Sequence, residues 1–312
     1  MIKKINIKNK FSIIMYHQII KNNKFNIHGL NIKKFEKQIS YFKKNLNILN
    51  PKEFYKKIDK KKFKRNDCIL TFDDGYKSHF QYVLPILNKY SLNGFFFPIA
   101  KTIKRNELLD INKIHLILGK FKNKKKLLEL IKIEIKKSSK KTSFKLNKII
   151  SKISVSKTYD NKTTIIIKRL LQKELPEKLR KRICKKLFNE NFKESEKKIA
   201  KEFYLNLSEI KNIKSYGNEI GSHSFNHLWM NSLNSKKQLL EIKKSLQFWR
   251  RNKIINKRWS FCYPYGAYNR TCIKNLKKLG CSAAFLVQNK VNKVNKFQKF
   301  NLNRVDCNQI KF

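Results

Sequence analysis

Two adjacent carboxylates, Asp73 and Asp74, end an apolar run in the segment ILTFDDGY, residues 69–76. The chain has 21 acidic residues against 74 Lys and Arg, so a carboxylate pair in an apolar setting stands out. At the end of a strand the pleat sends neighbouring side chains in different directions. One carboxylate can then bind a cation while the other faces a substrate. The plain alternative is that one of the pair caps the following turn, since Asp-Gly is a common turn signal. A second cluster, GNEIGSHSFNH at residues 217–227, presents His223 and His227 in a chain with six histidines. Their i, i+4 spacing lets two imidazoles meet one cation if that segment turns helically. Two imidazoles and one carboxylate leave coordination positions open for water and substrate, the pattern of a catalytic divalent metal site. Zinc comes first by ligand type, with cobalt, iron, manganese and nickel open. A third stretch, FCYPYGAYN at residues 261–269, ends an apolar run in a tight turn. There Pro264 fixes φ and Gly266 permits close backbone approach, and a free N–H could bind a developing oxyanion. Standing alone, it would read as an ordinary strand-to-helix turn.

These clusters need a frame. Short apolar runs alternate with helical patterns, which predicts strand–helix units around a parallel sheet or barrel. The strand candidates are residues 11–16, 68–72, 94–99, 219–222, 259–263 and 283–287, each followed by polar sequence. In such folds chemistry collects at the C-terminal ends of strands. Asn206 with Glu209 forms a capping-box pattern whose helix would close near Gly217. Asn269 can cap a helix that stops at Gly280.

The rhythm breaks between about Lys104 and Lys201. This stretch is Lys-rich and mostly helical in pattern, with Leu179, Ile183 and Leu187 on one face and Pro176 at a helix start or turn. It reads as a helical insertion whose middle could be disordered. The expected organisation is residues 1–103 and 204–312 as two parts of one α/β domain, with 104–203 inserted between them.

A formal charge of +53 over 312 residues would by itself suggest nucleic acid or an anionic surface. The excess is Lys far more than Arg and is spread along the whole chain, as an AT-rich coding bias produces. Bidentate phosphate recognition would favour Arg. No specific nucleic-acid partner is therefore expected, while peripheral contact with an anionic membrane surface stays open. Cys68 and Cys262 sit in apolar runs and read as buried thiols in a reducing compartment. The N-terminal apolar run is short, is interrupted by His17 and Gln18, and lacks a small-residue cleavage site, so it reads as a first strand. No stretch reaches the roughly 18 apolar residues that span a bilayer. A cytoplasmic protein, with peripheral contact at the inner membrane face open to it, is the expectation.

In this order and each after a strand, TFDDGY, EIGSHSFNH and FCYPYGAYN resemble the three leading motifs of the polysaccharide deacetylase family, also called the NodB homology domain or carbohydrate esterase family four. The likeness covers roughly residues 10–103 and 204–306. It implies a distorted (β/α) barrel and metal-dependent removal of acetyl groups from a carbohydrate. It makes Asp74, His223 and His227 the metal ligands, Asp73 the general base and the Tyr265 backbone amide the oxyanion donor. Paired aspartates would then divide ligation from proton transfer. Two positions depart from the pattern. Cys262 stands where the family often has an Arg, for which Arg304 in LNRVD is a substitute if it is not in a surface salt bridge. The family's late Leu-x-His acid is also missing, since no His follows His227. His17, in IIMYHQI at the end of the first strand, resembles the Tyr-His opening of the poly-N-acetylglucosamine deacetylase branch and so is the candidate general acid; a buried structural histidine is the alternative. His79 reads as a helix-face residue, and His28 and His115 have no assignment. Tyr76, Phe225 and Trp229 lie beside the motifs as sugar-stacking or core aromatics.

The resulting expectation is a hydrolase acting on an acetylated carbohydrate. Its rivals are an inactive sugar-binding protein of the same fold and a charge-driven binder of nucleic acid or membrane surface.

Overall fold

The computed structural model describes residues 4–138, 146–153, 160–294 and 296–311. The chain divides into two compact units, one of Lys3–Lys21, Gly29–Glu107 and Lys197–Phe312, the other taking in Asn22–His28 and Leu108–Glu196. The first carries seven principal strands: β1 (Ser12–Tyr16), β2 (Asp67–Asp74), β3 (Phe95–Pro98), β4 (Glu219–Ile220), β5 (Ser260–Cys262), β6 (Ala283–Phe285) and β7 (Val305–Asp306). All their pairings are parallel. β7, β1, β2, β3 and β4 are neighbours in that order, with Asn47–Ile48 added beside the start of β2, and β5 pairs β6. Single parallel bridges, Ser222↔Phe261 and Phe285↔Leu302, join these groups into a circuit. The result is a distorted barrel whose seams are single bridges rather than full ladders.

Alternation within the strands sorts the core into two layers. Ile13, Ile69, Phe95, Phe97, Cys262, Ala283, Phe285 and Leu302 form one cluster with Phe54 and Ile58 of the helix Pro51–Lys60, which closes that end. Ile14, Tyr16, Leu70, Phe72, Phe96, Phe261 and Val305 face the other way, into a larger cluster with helix residues such as Phe35, Leu87 and Trp249. Every residue of β1 and β2 is buried, as expected of parallel strands covered on both faces. The apolar N-terminal run is therefore barrel core.

The helix ends form as their sequences predict. Asn206 and Glu209 make a full capping box on Leu207–Ser215, with Gly217 at φ 84° beyond it. Asn269 caps Arg270–Lys278 by accepting from the Cys272 N–H, and Gly280 follows at φ 76°.

The second unit is helical: Asp110–Lys120, Lys124–Ser138, Leu146–Ser151, Lys162–Arg169 and Glu177–Asn191. Pro176 is the N-cap of the last of these, which buries Ile183, Cys184, Leu187 and Phe188. The expected disordered middle corresponds at 139–145 and 154–159 to positions outside the described residues.

A candidate metal centre beside a clasped aspartate

β2 does not stop before the carboxylates, as the sequence pattern suggested; Asp73 and Asp74 are its last two residues. Asp73 has the parity of Ile69 and Thr71 and points inward with them. Asp74 would point to the opposite face, but its φ of 70° breaks the alternation and brings its carboxylate to the strand-end rim. Gly75 makes this turn possible. It has φ 69°, and a Cβ there would lie 2.7 Å from Pro98 Cβ.

His223 and His227 both reach Asp74: each Nε2 lies 3.5 Å from Asp74 Oδ1. The two rings are 4.8 Å apart. The segment between them is not helical, contrary to the condition attached to the i, i+4 spacing. Instead Ser224 (φ 61°) and His227 (φ 58°) take left-handed conformations, and Ser224 Oγ accepts from the His227 N–H at 3.0 Å. His223 Nδ1 sits 2.8 Å from the Cys262 carbonyl. That contact fixes Nδ1 as the protonated nitrogen and leaves Nε2 as a lone-pair donor. Tyr76 donates its hydroxyl to Asp74 Oδ2 at 2.9 Å, so Oδ1 is the oxygen left for another partner. Asp74 Oδ1 is buried without a hydrogen bond, although such atoms are normally satisfied.

A cation answers that deficit. Among the described residues, two buried donor triads have their ligand atoms mutually within 4.8 Å: Asp74, His223 and His227, and Asp73, His223 and Cys262. The second already holds a positive charge. Arg304 Nη2 lies 2.6 Å from Asp73 Oδ2 and 3.0 Å from Cys262 Sγ, so a metal there would meet a guanidinium. The first triad has no such occupant, and its oxygen–nitrogen donor set suits a divalent transition ion.

Arg304 is 0% exposed and bound at every nitrogen. Nη1 also donates to Asp73 Oδ1 at 2.8 Å and Thr71 Oγ1 at 3.0 Å, and Nε donates to the Leu286 carbonyl at 2.8 Å. The surface salt bridge entertained from sequence is thus replaced by a buried two-point clasp. Burial pushes the Asp73 carboxyl up, but Arg304 outweighs it and brings its pKa down to about 2. For His227 it is burial itself that lowers the pKa, to about 3. His223 moves the other way: burial opposes its charge, but Cys262 and the carboxylates of Asp74 and Asp73 prevail.

His17 Nε2 lies 3.9 Å from Asp73 Oδ2, and its side chain is 44% exposed, so it is not a buried structural histidine. His79 is the buried one. Its Nε2 meets the His17 carbonyl at 2.8 Å, and burial lowers its pKa to about 4, which keeps it neutral. Tyr265 (φ 58°, ψ 11°) lies in the turn after β5, its ring 4.6 Å from His227 and stacked 4.4 Å from Trp229. Phe225 is a core residue. His28 and His115 fall in the helical unit. From sequence, Tyr76 and His79 are named without these supporting roles and Ser224 is not singled out. Tyr76 lies two residues beyond the carboxylate it holds, whereas nothing local marks His79 or Ser224.

The family model for polysaccharide deacetylase matches residues 60–137 and 154–284. The chain is 34% identical over 96 residues to YxkH of Bacillus subtilis (strain 168), whose name places it among polysaccharide deacetylases. That match covers 30% of this chain and about a third (33%) of the relative's length. Among solved structures, the fold resembles the Streptococcus pyogenes deacetylase PplD in complex with acetate, at TM-score 0.59 and 16% identity over 95% of this chain and 92% of that one. It also resembles IcaB from Ammonifex degensii, at TM-score 0.59 and 14% identity over 96% and 93%, and a de-N-acetylase from Aggregatibacter actinomycetemcomitans, at 0.57 and 14% over 95% and 94%.

Proposed function

The chain belongs to the polysaccharide deacetylase family, and on that premise we propose that it hydrolyses acetyl groups from an acetylated carbohydrate, using a divalent metal, zinc first, held by Asp74, His223 and His227. The observation that carries this reading is the division of labour between the two aspartates. Asp74 offers an unpartnered buried oxygen to two imidazoles, while Asp73 is withheld from that triad by Arg304.

When bound, such a metal supplies Lewis-acid polarisation of the acetyl carbonyl and acidifies a water. Asp73, ionised and held in one orientation, takes a proton from the attacking water. The Tyr265 backbone N–H donates to the oxyanion that develops on the acetyl carbon's oxygen. His17, on the open side of Asp73, gives a proton to the departing sugar nitrogen or oxygen. The products are acetate and a free amine or hydroxyl on the sugar. Arg304 stands immediately before β7 rather than on the strand of Cys262, yet it takes the charge-pairing role that the motif pattern puts at position 262.

No helix among the described residues is long and apolar enough to cross a membrane. All six cysteines are free and buried, which agrees with a cytoplasmic, reducing setting, and the Lys-rich surface allows peripheral contact with anionic lipid.

The test is acetate release from N- and O-acetylated oligosaccharides by zinc-reconstituted protein, beside Asp73→Asn. Release that needs both zinc and Asp73 supports the proposal. Zinc bound with no release from any acetylated sugar would sink it in favour of a sugar-binding protein.

A further inference from the structure

Four aromatic rings run in an unbroken series from Trp229 into the donor triad. Trp229 and Tyr265 are parallel, 6° between planes at 4.4 Å; Tyr265 meets His227 at 4.6 Å; His227 meets His223 at 4.8 Å. Two members of the series, Tyr265 and His227, have φ of 58°. A left-handed conformation in a residue with a bulky side chain is strained and persists only where its surroundings impose it. Each of these rings is gripped by its neighbours in the series. Tyr265 lies between Trp229 and His227, and the next residue, Gly266, is also left-handed, with a Cβ there meeting Val287 N at 3.0 Å. The turn therefore lacks freedom on the Gly266 side, and on the ring side it rests against Trp229.

We propose that Trp229 is a positioning residue for both halves of the site. Its indole face holds the Tyr265 ring, which fixes the direction of the Tyr265 amide, and through Tyr265 it holds the His227 ring against Asp74. The second half concerns the donor triad alone; the first rests on the deacetylase reading. One face of its indole stacks on Tyr265, and it is through Tyr265 that Trp229 acts on the site.

The experiment compares Trp229→Ala, Trp229→Leu and Trp229→Phe in the full chain, with folding checked by thermal unfolding. Zinc affinity is read by competition with a chromogenic chelator, and kcat and KM are read at saturating zinc. Loss of an outer support typically costs about 10–100-fold in metal affinity, and the Ala and Leu variants are expected to lose about tenfold. A misdirected oxyanion donor lowers turnover, so kcat should fall about 10–100-fold with KM within about twofold. Trp229→Phe, which keeps an aromatic face, should restore both. Leu fills volume without that face, so a packing role alone would rescue with Leu as well as Phe and would overturn the proposal. Unchanged zinc affinity and kcat in Trp229→Ala would also overturn it, while leaving the deacetylase reading intact. If wild-type protein released no acetate, that reading would fall, and the zinc measurement would still decide whether Trp229 supports the triad.

Discussion

Arg304 and Asp73 form a closed clasp: Nη1 to Oδ1 at 2.8 Å and Nη2 to Oδ2 at 2.6 Å, with 0% and 1% of their side chains exposed. Asp73 projects inward from the end of β2 and Arg304 from just before β7, with β1 between the two strands, and Cys262 Sγ lies beside them. A two-point clasp fixes the carboxylate plane as a single contact cannot.

Removing one partner of this pair leaves the other charged and buried. Arg304→Met is expected to lose about 3–5 kcal/mol of stability in chemical denaturation. Arg304→Lys keeps a charge without the fork. It should unfold closer to wild type yet turn over about tenfold or more slowly, as a shifted catalytic group does. Full activity in the Lys variant would show that the orientation of Asp73 is immaterial. The Asp73 carboxyl is held near pH 2, below its ordinary 3.8. The clasp's stability is therefore present above about pH 4 and lost as pH falls toward 2.

Metal content separates the two aspartates. Elemental analysis after zinc loading should find Asp73→Asn near wild type and His223→Ala or His227→Ala depleted. Turnover should fall at least about 100-fold in Asp73→Asn, the contribution usual for a positioned base. Zinc retained by both histidine variants would move the metal elsewhere.

His79→Phe tests the floor beneath His17. The substitution keeps a ring of similar size but takes the donor from the partly buried His17 carbonyl, which removes a hydrogen bond worth about 0.5–1.5 kcal/mol. A lower unfolding midpoint with reduced kcat and unchanged zinc content is expected. Wild-type turnover would mean that His17 needs no such support.

At the opposite ends of the strands, Glu219 begins β4, and burial raises its carboxyl pKa from 4.5 to about 7, with Lys214 and Arg258 opposing. Its folded pKa lies above the unfolded one, so the folded protein holds that proton more tightly. The associated stability is full below pH 4.5 and declines as pH rises through 7, by about 2–3 kcal/mol. Glu219→Gln should flatten denaturation midpoints between pH 4.5 and 7 and gain stability at pH 8. A wild-type slope in the Gln variant would assign the pH dependence to other groups.

Much of the candidate site was legible because it is local. TFDDGY carries a carboxylate pair, a turn glycine and an apolar strand within a few residues, and SHSFNH carries two imidazoles; both reduce to spacing and composition. The strands could be recognised for the same reason, as short apolar runs between polar ones, although their ends shifted by one or two residues. β7 escaped because Val305 and Asp306 are too few to make a pattern.

What only the tertiary structure decided is which distant groups share a layer. Arg304 in LNRVD could have been a surface residue. Barrel closure, through the Phe285↔Leu302 bridge and the pairing of β7 with β1, turns it inward onto a carboxylate 231 positions away. The same holds for the left-handed residues that join the histidines to Asp74 without a helix, for His79 beneath His17, and for Trp229 against Tyr265. Such contacts arise from strand parity and backbone conformations imposed by packing. Residue types thus determined which chemistry was available to this protein, and chain closure determined which of the two donor triads was left open to a cation and which carboxylate was clasped.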